Sequence, residues 1–336
     1  MHRLTILVIA FALGVTACSA SSASSGSPDA VTVYSGRSEE LIAPLIEQYE
    51  EQSGIDVSVR YGDSAELAAT ILEEGDRSPA SVFLAQDPAS LGAVALANLF
   101  TELPQELLSS VPERFSDRDG NWVGVSGRAR TVVYDTVALS ANDLPTTEDG
   151  LVDPQWTGRV GIAPTNGSFL AFVAAKILLD GEAATLDWLK GMQANESPTY
   201  AKNSTIVGAV VDGQAETGLV NHYYVLRALA EDPDAAAANY FFPEASAGSL
   251  IMPSGAGILI GSDAQDAAAD FIAFLLSPGA QEYFAQETFE YPLVPGIEPF
   301  GVLPPLDAIP TPDIDLSDLA PMLDLATDLV AEAGLL

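Results

Sequence analysis

Apolar residues recur along this chain with two periods, and the period changes at glycines and small polar residues. Val31-Thr32-Val33-Tyr34 alternates and predicts a strand, turned by Gly36. Ser38 is placed to cap a helix whose Leu41, Ile42, Leu45, Ile46 and Tyr49 share one face, and Gly54 ends it. Val57 to Tyr61 alternates again. Ser64 is placed to cap a second helix carrying Leu67, Ala68, Ile71 and Leu72, stopped by Gly75. Val82-Phe83-Leu84 predicts a short buried strand. This order of strands and helices implies a mostly parallel, doubly wound sheet. Ligands of such sheets sit outside the carboxyl ends of the strands. Residues 34–39 and 85–87 both follow strands and belong to that rim.

The middle of the chain repeats this grammar. Val160-Gly161-Ile162 leads through Thr165-Asn166-Gly167-Ser168 into an apolar helix over 169–179, and Leu186, Trp188 and Leu189 mark another. Leu219-Val220 predicts a strand running into Asn221-His222-Tyr223-Tyr224. Late helices are expected over 267–276 and 279–285. Pro304-Pro305, Pro310 and Pro312 mark a linker before an acidic segment at 316–336. The pattern contains no internal repeat or heptad run. Roughly 300 residues past the leader suit two α/β lobes with a cleft between them, the layout of a hinge-closing binder.

The leader has its own signature. His2 and Arg3 precede an apolar run over 4–15, shorter than the ~20 residues of a membrane-spanning helix. Val15-Thr16-Ala17-Cys18 and the Ser/Gly tract after it resemble the lipobox of bacterial lipoproteins. The resemblance implies a leader at 1–17, a lipidated Cys18 as mature N-terminus, and a flexible tether over 18–30. The protein is then expected outside the cytoplasm, touching the membrane through its lipid anchor only. Cys18 is the only cysteine, so the rest of the chain has neither disulfide nor thiol chemistry.

Composition narrows the partners. With 13 basic against 47 acidic residues, the formal charge is -34. Such a surface repels phosphate backbones and excludes nucleic-acid binding. Enzyme signatures are also missing: His222 is the only histidine past the leader, and neither G-x-S-x-G nor H-E-x-x-H occurs. The expected role is binding, not catalysis.

Tyr223 and Tyr224 are the most informative chemistry in the chain. A phenol ionises near pH ~10 in water, and a strongly charged cation lowers that value. Hard oxygen donors suit hard ions, and tyrosinate ligates iron in some haem proteins. Taken alone, the pair fits either a ferric ligand set or aromatic packing against a core or a sugar.

Several segments, in order, resemble the periplasmic ferric-ion-binding proteins of bacterial ABC importers. They are Val33-Tyr34-Ser35-Gly36, residues 73–80, Ser126-Gly127-Arg128-Ala129-Arg130 through Asp135, Trp188-Leu189-Lys190-Gly191, residues 200–204, residues 221–224 and Glu290-Tyr291-Pro292-Leu293. The resemblance implies a two-lobed periplasmic-binding-protein fold of the transferrin-like class, with a hinge and a central cleft. One lobe is expected over 31–128 and 254–306 and the other over 129–253 and 307–336, the crossovers lying near 128–133 and 253–257. It further implies a monomer that binds Fe(III) through Tyr223 and Tyr224, helped by a synergistic carbonate or phosphate, and delivers it to a permease. The anion matches Asn166, Gly167 and Ser168 at a helix N-terminus, with Asn203, Asn221 and Arg128; Arg37 is a further candidate, with a surface pair of an exposed arginine as its competing role. Two departures stand out. Ser38 occupies the place of a histidine ligand, and Gln86 that of a glutamate ligand. Gln86 and Glu39 are the candidates to complete the metal shell, with first-turn helix stabilisation the competing role for Glu39. His222, one strand position from Tyr223, is expected to be structural. A related importer component for a small organic or anionic solute (a phosphorylated compound, thiamine or a polyamine) is the alternative.

Overall fold

The computed structural model describes residues 30–336. The leader, Cys18 and all of the tether but Ala30 lie outside the described residues. The strands are β1 (Val31–Ser35), β2 (Val57–Tyr61), β3 (Val82–Ala85), β4 (Phe100–Thr101), β5 (Val123–Asp135), β6 (Val160–Gly161), β7 (Thr217–Asn221), β8 (Ala237–Tyr240) and β9 (Ile251–Leu259). The helices are α1 (Glu39–Ser53), α2 (Ser64–Glu74), α3 (Pro88–Leu96), α4 (Gln105–Leu108), α5 (Gly167–Asp180), α6 (Glu182–Ala194), α7 (Asn203–Val211), α8 (Tyr223–Glu231), α9 (Gln265–Leu275), α10 (Pro278–Gln286) and α11 (Leu323–Glu332).

The strands join in the order β2-β1-β3-β9-β5-β7-β6, with β4 on β9 and β8 on β5. β1 pairs in parallel with β2 and β3, as the strand–helix alternation requires. β9 then enters antiparallel between β3 and β5. β5 is the longest strand. Its residues 123–129 pair with β9 and residues 130–134 with β7. The segments expected to cross between lobes, 128–133 and 253–257, are therefore parts of two adjacent antiparallel strands. Arg128 and Arg130, two residues apart and so on one face of β5, stand where it passes from one half of the sheet to the other.

Local choices follow the sequence with identifiable exceptions. α1 buries Ile42, Leu45, Ile46 and Tyr49 and ends at Gly54 in a left-handed conformation (φ 73°). Each large apolar side chain so buried contributes about 1.5–3 kcal/mol. Ser38 holds the cap position, but its side chain makes no capping bond. Asp63, not Ser64, caps α2, accepting from the Ala65 N–H. Ser64 is buried instead, and its Oγ accepts the Gln86 N–H at 2.9 Å. This close approach requires Gly36, where an added Cβ would lie 2.0 Å from Ser64 Oγ. Tyr223 and Tyr224 are not on a strand extension; they open α8.

The acidic C-terminal segment is ordered. The single turns Leu316–Asp318 and Ala320–Met322 pack on α3, while α11 packs on α5 and α6. Gly92 on α3 allows that contact, since a Cβ there would come 2.7 Å from Ala320 Cβ. Arg118 ties the segment down through Asp315 and Asp318, and Lys190 through Glu332. Residues 307–336 thus touch both halves of the molecule rather than the second lobe alone. No helix among the described residues is long and apolar enough to cross a membrane.

Candidate metal and oxyanion site

Three helices present their N-termini to the carboxyl-end rim: α5 behind Asn166, α7 at Asn203 and α8 at Tyr223. Free N–H groups and the helix dipoles make such a junction attractive to anions. Asn166 caps α5 by accepting the Ser168 N–H. A Cβ at Gly167 would meet no atom within 4 Å, so that face of the loop stands open.

These groups line a cavity of about 290 Å³ with Ser64, Gln86 and Asp87 from one half of the sheet, and Arg128, Asn203, Asn221 and Tyr224 on its other sides. Arg128 is buried, yet its Nε and Nη2 have no hydrogen-bond partner among the described residues. An unpaired buried donor is costly, and a guanidinium edge pairs best with a group that carries two acceptor oxygens. Asp87 caps α3, accepting from Ser90 N and Oγ. Burial raises its pKa, against the pull of Ser90 and Arg128.

Tyr223 and Tyr224 stack with ring centroids 4.2 Å apart. Tyr224 lines both this cavity and a second one of about 520 Å³, which Tyr223 borders together with Ser38, Glu40, Gln86 and Arg227. Burial lifts the Tyr223 phenol well above its ordinary pKa, and Tyr224 adds to this while Arg128 and Arg37 oppose it. The phenol is neutral until a cation displaces its proton. Gln86 Nε2 donates to the Gly36 carbonyl, which leaves Oε1 as its free end toward either cavity.

Beneath the tyrosines lies a buried ion pair. Arg37 Nη1 and Nη2 donate to Glu290 Oε1 and Oε2, each at 2.7 Å, and Nη1 also reaches Ser254 Oγ at 2.9 Å. Burial is the largest single influence and disfavours both charges, but the partner's charge and the hydrogen bonds together outweigh it: the Glu290 pKa is lowered and that of Arg37 raised. His222 is buried as well. Its Nδ1 accepts the Ala129 N–H at 3.1 Å, so the proton is on Nε2, 2.8 Å from the Phe289 carbonyl oxygen. Burial holds its pKa down at about 4.

The sequence-derived candidates divide accordingly. Asn166, Gly167, Ser168, Asn203, Asn221, Arg128, Gln86 and Tyr224 share one cavity, and Tyr223 borders the second. Two candidates are corrected. Arg37 is not an exposed arginine at the anion; its guanidinium is buried and committed to Glu290. Glu39 is exposed in the first turn of α1 and lines neither cavity, so the helix-stabilising role fits it. Among the described residues one further trio of carboxylates, Glu148, Asp149 and Asp180, has metal-ligand spacing. The Lys176 ammonium already fills it, at 2.5–3.3 Å from all of them.

Sequence reasoning missed Arg130, Glu290, and Asp324 and Thr327 of α11, which reach the cavity mouth. The readable signal for Arg130 was its alternation with Arg128 in an otherwise apolar strand. Nothing local marks residues 324 and 327.

The bacterial extracellular solute-binding protein family matches residues 78–308. The major ferric iron-binding protein of Neisseria meningitidis is 35% identical over 312 residues, covering 91% of this chain and 93% of that protein. The Fe(3+)-binding periplasmic protein of Serratia marcescens is 32% identical, covering 91% and 90%. Among solved structures, iron-bound HitA from Pseudomonas aeruginosa superposes with a TM-score of 0.86 at 32% identity, covering 91% and 99%.

Proposed function

This chain belongs to the family of bacterial extracellular solute-binding proteins, in its periplasmic ferric-ion-binding branch, and on that premise we propose that it captures ferric iron outside the cytoplasm for an ABC permease. Tyr223 and Tyr224 supply two phenolates. Gln86 Oε1 is available beside them. A carbonate or phosphate, seated by Arg128, Asn203, Asn221 and the loop Asn166-Gly167-Ser168, completes the shell. The role is binding, not catalysis. The observation that supports this most is the juxtaposition of the stacked tyrosines with a cavity holding an unpartnered buried arginine.

The test is a titration of the purified protein with ferric iron, followed by visible absorbance. A tyrosinate-to-iron charge-transfer band is expected. Stripping carbonate and phosphate should weaken binding, and restoring either should recover it. A phenol that ligates as phenolate gives up its proton to do so, so affinity falls as pH drops. With two phenols the fall is about a hundredfold per pH unit, tenfold for each proton released. No band, or iron held unchanged through strong acid, would refute phenolate ligation.

Cys18 carries the membrane anchor in this reading. Cys18→Ser should yield an unlipidated or released protein with undiminished iron affinity, since the tether precedes the folded residues. Mass spectrometry of the native N-terminus is the check; an unmodified Cys18 would remove the anchor.

A further inference from the structure

His222 stands between the end of β7 and the start of α8 and is fully buried. Every polar group it carries is engaged. Its N–H donates to the Ala129 carbonyl at 3.0 Å, and its Nδ1 accepts the Ala129 N–H at 3.1 Å. Its carbonyl accepts from Asn239 Nδ2 at 2.9 Å. Its Nε2 donates to the Phe289 carbonyl at 2.8 Å. We infer that His222 is a positioning residue for iron capture: its bond to Phe289 fastens the start of α8, and with it both tyrosine ligands, to the loop that follows α10. This deepens the ferric reading above and rests on it.

The far end of that bond is a strained turn. Phe289 has φ 59°, in the left-handed region that a bulky residue rarely enters. Such a conformation persists only where its surroundings hold it. Here the Phe289 carbonyl takes the His222 proton, and the next residue, Glu290, accepts from Arg37, Ser126 and Thr288. Tyr291 then exchanges both backbone bonds with Gly127, and its ring lies 4.8 Å from the imidazole. His222 and this loop therefore grip the same stretch of β5, residues 126–129.

Tyr223 and Tyr224 follow His222 directly as the first residues of α8. Where His222 is held sets where that helix begins and where both phenols point. The imidazole lines neither cavity, so it acts on the metal through the tyrosines and not by ligation. A neutral imidazole suits the place, because one ring nitrogen accepts while the other donates. A binding constellation must be held to within about 0.5 Å and 10–20°. Loss of a residue that orients a ligand costs ~10–100-fold in metal affinity.

The experiment compares two variants that each lose one bond, by ferric titration of the visible band and by thermal denaturation without metal. His222→Asn keeps an acceptor where Nδ1 stood, for the Ala129 N–H, but is too short to reach Phe289. His222→Gln keeps an N–H where Nε2 stood and retains the Phe289 bond, leaving the Ala129 N–H unpaired. Each loses a buried hydrogen bond, so both should melt earlier than the parent. Iron separates them. His222→Asn should bind ferric iron at least about tenfold more weakly, with a displaced band, while the conservative His222→Gln should recover affinity to within roughly threefold of the parent. Should the histidine variants fail to fold, the other end of the bond carries the test, at a residue that is only partly buried. Phe289→Gly and Phe289→Val both remove the ring that packs on Phe300. Glycine adopts the positive φ freely, whereas valine disfavours it and turns the carbonyl away from His222. Phe289→Val should bind iron about tenfold more weakly than Phe289→Gly. Equal iron affinity within either pair, whatever the melting temperatures, overturns the inference and leaves His222 purely structural while the tyrosine site stands. Absence of the band from the parent protein overturns the ferric reading itself, and the inference with it.

Discussion

Tyr224→Phe is expected to abolish the visible ferric band and to lower iron affinity by more than about a hundredfold, and Tyr223→Phe to do the same. Losing a residue that merely orients a ligand already costs ~10–100-fold in metal affinity, and the ligand itself must cost more. The site has little to fall back on in the proposed reading, since the resemblance sets Ser38 and Gln86 where a histidine and a glutamate ligand are expected. Phenylalanine keeps the ring, and with it the 4.2 Å stack of the pair. It also removes a hydroxyl that has no hydrogen-bond partner among the described residues and is not fully buried, a change close to neutral for the fold when no partner is orphaned. Thermal denaturation of the metal-free variants should therefore match the parent. That separates loss of a ligand from loss of structure. Full colour retained in both variants would move the metal elsewhere.

Glu290→Gln is expected to destabilise the metal-free protein by about 3–5 kcal/mol, the usual cost of leaving one member of a buried ion pair unpaired. Arg37 is 2% exposed and Glu290 fully buried, and their bonds join the β1–α1 loop to Ser126 on β5 and Ser254 on β9. The pH dependence follows from the lowered Glu290 pKa. A carboxylate depressed in the folded state stabilises fully above its unfolded pKa of about 4.3 and loses that contribution as pH falls through the folded value. The parent should therefore lose stability in acid more steeply than Glu290→Gln. Denaturant midpoints measured across that range give the answer. The double replacement Arg37→Met with Glu290→Leu should recover most of the loss, because it buries no lone charge. A variant as stable as the parent would mean that water reaches Arg37.

Much of the first half of the fold was written locally. The alternation in residues 31–35 and 57–61, the apolar stripe of α1 and the stop at Gly54 each report a period or a backbone preference, and the parallel order of β1, β2 and β3 follows from them. The tyrosine pair and the Asn166-Gly167-Ser168 turn were legible for the same reason: chemistry and spacing are contiguous in the chain. Residue type likewise carried the exclusions, since a chain with one histidine past its leader and a charge of -34 has few chemistries open to it.

What tertiary structure alone decided concerns groups brought together from distant parts of the chain. Arg37 read as an exposed arginine because nothing near it announces Glu290, 253 positions later, which takes its charge. Glu39 was a plausible ligand until the start of α1 turned it to solvent while Glu40 and Leu41 faced the second cavity. Arg130 meets Asn221 through register, because only the β5–β7 pairing sets the two opposite each other. The closing of the cavity by α11 depended on packing against α5 and α6, a contact that no periodicity encodes. Sequence determines what each segment can be through short-range sterics and hydrophobic period. Which side chains share a cavity is set by long-range burial and charge pairing.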